Sequence, residues 1–161
     1  MKLTKRRQFL SILGLGGFSL GGSSLLVSTA QAHHTETHFD EETKHKLVYQ
    51  CNKADPDYIE HLLFSCGEML RKHGDNIELV IAAFGQGLNL VGRNPKRPVS
   101  KVHQQRVKSL ADYGVRLQAC GNTMNSMNWT EKDIIEEAVI VQIGVEGIML
   151  LQEQGFSYIN L

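Results

Sequence analysis

Three cysteines in 161 residues are too few for a disulfide scaffold, since they allow at most one internal bridge and leave an odd thiol. Also missing are a CxxC pair, an HExxH helix, a Walker-type phosphate loop and a Ser-His-Asp signal. Those absences leave no ready sign of a redox dithiol, a zinc hydrolase, a nucleotide-driven enzyme or a serine hydrolase. No cofactor is expected. An excess of one charge is lacking as well, because 17 Lys+Arg offset 17 Asp+Glu. The balance is uneven along the chain. The first 32 residues carry Lys2, Lys5, Arg6 and Arg7 and no acid, so the other 129 hold 13 bases against 17 acids, a net of −4. An acidic body lacks the basic surface that releases counterions from nucleic acid, so no nucleic-acid partner is expected. With 42% hydrophobic and 21% charged residues, the composition is that of one compact domain rather than a disordered chain.

The first 32 residues have the three parts of an export signal: a basic start, an apolar centre, and a small-x-small ending at Ala30-Gln31-Ala32. Arg6-Arg7 followed by Gln8, Phe9 and Leu10 resembles a bacterial twin-arginine signal. Gly14, Gly16, Gly17, Gly21 and Gly22 make the centre weakly apolar, which suits a route that carries folded cargo. The alternative is a retained anchor, because Leu10 to Ala30 could cross about 30 Å of hydrocarbon at roughly 1.5 Å per residue. The expectation is cleavage, a mature chain starting at His33 in the periplasm, and no membrane contact afterwards.

Residues 33–45 form a polar, His-rich tail, and the pattern changes at Lys46. KLVYQC is a short apolar run suited to a strand. Asp55-Pro56 reads as an N-cap and first helical residue, and Ile59, Leu62, Leu63, Cys66, Met69 and Leu70 fall on one helical face before Gly74. A second run, Ile77 to Phe84, ends in Gly85-Gln86-Gly87. A helix is expected from about Pro98 to Tyr113, then the run VRLQAC ending at Cys120. A helical turn capped by Thr130, the run AVIVQI, the helix GVEGIMLLQEQ and the run FSYINL complete the chain. Five apolar runs separated by helices imply βαβ units, a five-stranded parallel sheet and a three-layer α/β/α sandwich. Ligands in such folds sit beyond the carboxyl ends of the strands. Cys51, Gly85-Gln86-Gly87 and Cys120 all fall there.

Cys120 is the sharpest candidate, because Gly121, Asn122 and Thr123 follow it at the expected start of a helical turn. Backbone N–H groups there would favour a thiolate, and Gly121 would let the backbone approach a ligand closely. The competing reading is a packed thiol. Cys51 could resolve a mixed disulfide or persulfide on Cys120 or could simply be packed, while Cys66 belongs to the core stripe. Gly85-Gln86-Gly87 could offer N–H groups to an anion or be a tight turn. Arg93, Lys96, Arg97 and Lys101 form the one basic run of the acidic body and would draw in anions if they border the same crest. His33, His34 and His38 with Glu36 could bind metal opportunistically, although nothing fixes a geometry. His61 and His103 lack partner ligands at motif spacing.

The run Tyr113 to Cys120 resembles a segment of the DsrE/DsrF-like sulfur-relay family, in which a helix ends in a glycine, a strand follows and a cysteine stands at its tip. Asn122-Thr123-Met124 and the ending Leu151 to Ile159 are similar to that family's exported branch, and Gly85-Gln86-Gly87 is similar to the family's glycine turn after the second strand. The likeness covers residues 46–161. It implies a five-stranded parallel sheet between helices, assembly into homo- or hetero-oligomers, often trimers or hexamers, and in some members sulfur carried as a persulfide on the strand-end cysteine. Here that role falls on Cys120. Export is a departure, because the sulfur-carrying members are cytoplasmic and an oxidising compartment traps thiols.

The leading expectation is a periplasmic sulfur handler, more carrier than turnover enzyme, with a reduced sulfur compound or donor protein as its partner. Two rivals stay open: a small-ligand or subunit-binding module of the same fold, and a metal-handling protein using the His-rich tail. A homo-oligomer is expected, and Gly144 and Gly147 on the last helix have the spacing that lets another helix or the sheet come close.

Overall fold

A computed structural model describes residues 45–161. The export signal, the twin-arginine pair and His33, His34 and His38 lie outside the described residues. Strand β1 (His45–Cys51) leads to helix α1 (Pro56–His73) and strand β2 (Ile77–Ala83). Next come a 3-10 segment (Gly85–Val91), helix α2 (Lys101–Asp112), strand β3 (Arg116–Cys120) and helix α3 (Gly121–Ser126). A 3-10 turn (Glu131–Asp133), strand β4 (Ala138–Val141), helix α4 (Gly144–Glu153) and strand β5 (Ser157–Ile159) complete the domain.

Helices α1 and α2 begin where a side chain satisfies exposed N–H groups. The Asp55 carboxylate accepts from the N–H groups of Asp57 and Tyr58, Pro56 sits in the first turn, and Arg71, Lys72 and His73 complement the carboxyl end. Helix α2 starts at Lys101 rather than near Pro98, because the Ser100 hydroxyl accepts the N–H of His103 and sets the boundary there. Thr130 and Asp133 make a capping box on the turn that the sequence placed at Thr130.

All four strand pairings are parallel, in the order β4-β3-β2-β1-β5. Alternation along the strands divides the core in two. Tyr49, Cys51, Leu79, Ile81, Ala83, Leu117 and Ala119 face α1 and α2, where Ile59, Leu62, Leu63, Cys66 and Val107 close over them. Val48, Val80 and Ala82 point the other way, onto Ile148, Leu151 and Phe156 of α4 and the segment after it. The three-layer sandwich is therefore lopsided: 18- and 12-residue helices on one face, a single ten-residue helix on the other. The thin side leaves apolar side chains in solvent, among them Val139, Val145, Met149 and Leu150. Both edge strands are short, four residues in β4 and three in β5, which limits edge-to-edge pairing.

The glycines of α4 work within the chain. A Cβ on Gly147 would stand 2.9 Å from Gln118 Oε1, and one on Gly144 would stand 3.0 Å from the Cβ atoms of both Cys120 and Phe84. Their small size seats α4 on its own sheet, so they supply no argument for a second subunit.

Candidate functional site

The register of β3 and β4 builds the site. Cys120, last in β3, pairs with Val141, last in β4. Three residues later Gly144 opens α4, and its N–H reaches back to Cys120 Sγ at 3.2 Å. On the other side α3 begins directly after the cysteine, so the Thr123 hydroxyl and N–H, and the Asn122 N–H beside its bond to Gln142, lie close enough to favour the anion of the sulfur. The Thr123 side chain is held in place there, since Oγ1 accepts the Gly85 N–H at 3.1 Å. Cys120 is only 5% exposed. Burial pushes its thiol up, but the Thr123, Gly144 and Asn122 donors together outweigh burial and hold the thiol below its ordinary value. The result is a shielded sulfur that favours the anion, the form in which a thiol is a nucleophile.

Asn122 closes the neighbouring turn. Its N–H donates to the Gln142 carbonyl at 3.1 Å, and its Oδ1 accepts from Gln142 Nε2 at 3.1 Å. Gly121 approaches protein rather than a ligand: a Cβ there would meet the Val141 carbonyl oxygen at 3.4 Å, an ordinary contact. The Gly85-Gln86-Gly87 turn is not an open anion cradle either. The Gly85 N–H is given to Thr123 and the Gly87 N–H to the Phe84 carbonyl at 3.1 Å. Gly87 instead lies hard against β1, where a Cβ would fall 2.1 Å from the Cys51 carbonyl oxygen. Only glycine fits.

Cys51 does not join Cys120. Register aligns Cys51 with Ala83 and Ala83 with Ala119, which places Cys51 two strands, roughly 10 Å, away. Alternation also turns the two sulfurs to opposite faces, Cys51 toward α1 and Cys120 toward α4. A resolving role needs Cα atoms within about 7 Å, and the sheet forbids it. Cys51 is wholly buried with Sγ 3.6 Å from the Gly87 carbonyl oxygen, and burial pushes its thiol up to about 12. Cys66 sits in the α1 core, where burial raises its thiol further.

The basic run divides. Lys96 and Arg97 line a groove with Gly85, Gln86 and Thr123, whereas Arg93 and Lys101 border a separate groove with Leu90 and Val107. Arg93 Nε donates to the Ile134 carbonyl at 2.8 Å, so it ties loops together. His103 is buried and meets Glu60 Oε2 of α1 at 3.0 Å, with Arg106 on the same carboxylate. This cluster clamps α1 to α2 far from the sulfur in function: it contains no nucleophile. Among the described residues no group of three or more His, Cys, Asp or Glu side chains could hold a metal, and no helix is long and apolar enough to cross a membrane. Sequence reasoning missed Gly144, although the rule that flagged the other strand ends applies equally to the β4–α4 junction.

A strand-end cysteine beneath converging N–H donors, in a five-stranded parallel sheet, is the arrangement expected from the family resemblance, and the model of the DsrE/DsrF-like family matches residues 45–161. The chain belongs to the DsrE/DsrF-like family. Solved structures share the fold of this DsrE/DsrF-like domain. A protein of unknown function, MTH1491 from Methanobacterium thermoautotrophicum, is 22% identical with a TM-score of 0.65, covering 73% of this chain and 99% of its own. The ychN protein from E. coli is 13% identical with a TM-score of 0.56, over 73% and 99% of the two chains. BT1422 from Bacteroides thetaiotaomicron, a conserved protein of unknown function, is 15% identical with a TM-score of 0.50, over 72% and 94%. At these identities the likeness is one of fold alone. No curated protein sequence matches the chain.

Proposed function

We propose that this DsrE/DsrF-like protein handles sulfur, holding sulfane sulfur as a persulfide on Cys120 and passing it on. One observation carries the reading: Cys120 lies nearer the surface than the two packed thiols and among hydrogen-bond donors, which hold it below the ordinary value while theirs are raised. The Thr123 hydroxyl and the N–H groups of Asn122, Thr123 and Gly144 that favour a thiolate would equally favour the terminal sulfur anion of Cys–S–S⁻. No general acid or base stands beside the sulfur among the described residues, which suits a carrier. Incubation with polysulfide should add one sulfur atom, seen by mass spectrometry of the intact protein and removed by dithiothreitol. Cys120→Ser should abolish the adduct with the fold intact. An adduct that survives on Cys51 or Cys66 would overturn the proposal.

The 5% exposure of Cys120 favours a second reading, a ligand- or subunit-binding module in which the thiol only lines a pocket. Cys120→Ser unfolding the domain would select it. Two further parts of the proposal concern place and assembly. The Arg6-Arg7 signal supports twin-arginine export to the periplasm, and Arg6→Lys with Arg7→Lys should hold the precursor in the cytoplasm. The exposed Val139, Val145, Met149 and Leu150 beside the thin layer support a homo-oligomer, which light scattering at micromolar concentration would reveal or dismiss.

A further inference from the structure

A groove of about 610 Å³ has Gln86, Asn89, Lys96, Arg97, Thr123 and Ser126 in its wall; Cys120 is not itself part of the lining, and Thr123, three residues after it, joins the two. Thr123 belongs to both places, since its hydroxyl serves Cys120 Sγ while its side chain borders the groove. Lys96 and Arg97 both line the wall and no carboxylate does. Asp133, whose carboxylate feels Lys96, is occupied by the N–H and hydroxyl of Thr130 and lies outside the lining. Lys96 Nζ donates to the Met127 carbonyl and keeps two further donors. The Arg97 guanidinium has no hydrogen bond or ion pair among the described residues, leaving its planar fork for a ligand. Asn89, only 1% exposed, fixes the rims: its Nδ2 donates to the Gln86 carbonyl at 2.8 Å and its Oδ1 accepts the Arg97 N–H at 3.0 Å. A groove held open in this way loses little freedom when it binds.

We propose that the groove docks the sulfur donor directly, and that the donor is a small dianion with a terminal sulfane sulfur. This rests on the persulfide reading and adds the substrate class to it. Two positive side chains without a facing carboxylate match a charge of two, in a body whose net charge of −4 would otherwise repel such a ligand. Transfer then needs no oxidant or reductant. The Cys120 thiolate attacks the terminal sulfur, the bond between that sulfur and its neighbour breaks, and its electron pair leaves with the remaining anion. With thiosulfate the products are Cys–S–S⁻ and sulfite.

The test uses thiosulfate on the full chain, with Lys96→Gln and Arg97→Gln combined. In a Cys120→Ser background, where no sulfur can transfer, thiosulfate should give saturable amide shifts at Gln86, Arg97 and Thr123, weakened by added salt. The double substitution should weaken that binding about tenfold or more, two exposed charge pairs having been removed. With Cys120 present, the rate of adduct formation from thiosulfate should fall about tenfold as well, while alkylation by neutral iodoacetamide changes by less than about twofold. An unchanged thermal midpoint shows that the double variant folds. Shifts absent from the groove, or equal in the double variant, overturn the proposal. An adduct forming at the same rate with and without the two cations overturns the groove alone and turns attention to a donor protein. Groove binding with no adduct on Cys120 from any donor overturns the persulfide reading and the donor role with it.

Discussion

On the α1/α2 face, Cys51 and Cys66 have no measurable exposure, and burial raises both thiols, Cys51 to about 12. On the α4 face, Cys120 is 5% exposed and its thiol is lowered. All three thiols are nearly closed to solvent, but Cys120 lies shallower, so burial opposes its anion less, and it alone has N–H and hydroxyl donors around it. The thick face encloses its cysteines in an apolar cluster that includes Tyr49 and Tyr58, with a carbonyl oxygen at Cys51, and burial there favours the neutral thiol. The thin face meets Cys120 with a hydroxyl and several N–H groups from α3 and α4, which favour the anion. Enclosure alone therefore says little about whether a thiol is inert.

The most damaging way to break this contrast is from the thick side. Gly87→Ala drives a methyl group into the Cys51 carbonyl, backbone against backbone, and should cost about 3 kcal/mol or more in urea unfolding. A stability loss under about 1 kcal/mol would mean that β1 and the Gly85–Val91 segment are less tightly packed than described. Next in size is the order of alkylation under native conditions, with Cys120 far ahead of Cys51 and Cys66, each site followed by mass spectrometry. The rate at Cys120 should climb with pH and level off below the ordinary thiol value of about 8.5, because the folded protein favours the thiolate. The corresponding stability contribution is fully present above the unfolded thiol value and lost as pH falls through the lower folded one. A plateau above about 8.5 would erase the distinction between the faces. The smallest effect sharpens it. Thr123→Val removes one donor to Sγ, which raises the thiol and lowers the thiolate share at neutral pH. Higher intrinsic nucleophilicity restores part of that, so the alkylation rate should drop only about threefold. Thr123→Ser should stay near wild type.

Much of the fold was legible because its signals are local. Asp55-Pro56 and Gly74 bracket α1, and five apolar runs separated by helices leave few options but a parallel sheet. The Gly85–Val91 segment was less visible. Its buried Leu88, Leu90 and Val91 follow a 3-10 path that matches neither helix nor strand periodicity, and Asn89 looks like a loop residue until its two rim contacts are seen. Cys120 could be singled out from its place at a strand end. Its Gly144 donor lies 24 residues away, and separating it from Cys51 required the register across β2, which no local pattern encodes. The start of α2 shifted for a simpler reason: Pro98 and Ser100 both suit a helix entry, and the hydroxyl that captures an N–H decides between them.

The connection from β4 through α4 to β5 gives the chemistry a place in time. Strand β5 pairs with β1, so the last strand of the domain must find its first. Until α4 has emerged and docked, Gly144 cannot donate to Cys120, and a growing chain that already contains all three cysteines still lacks a member of the set that favours the thiolate. Only the finished domain carries the fully tuned sulfur.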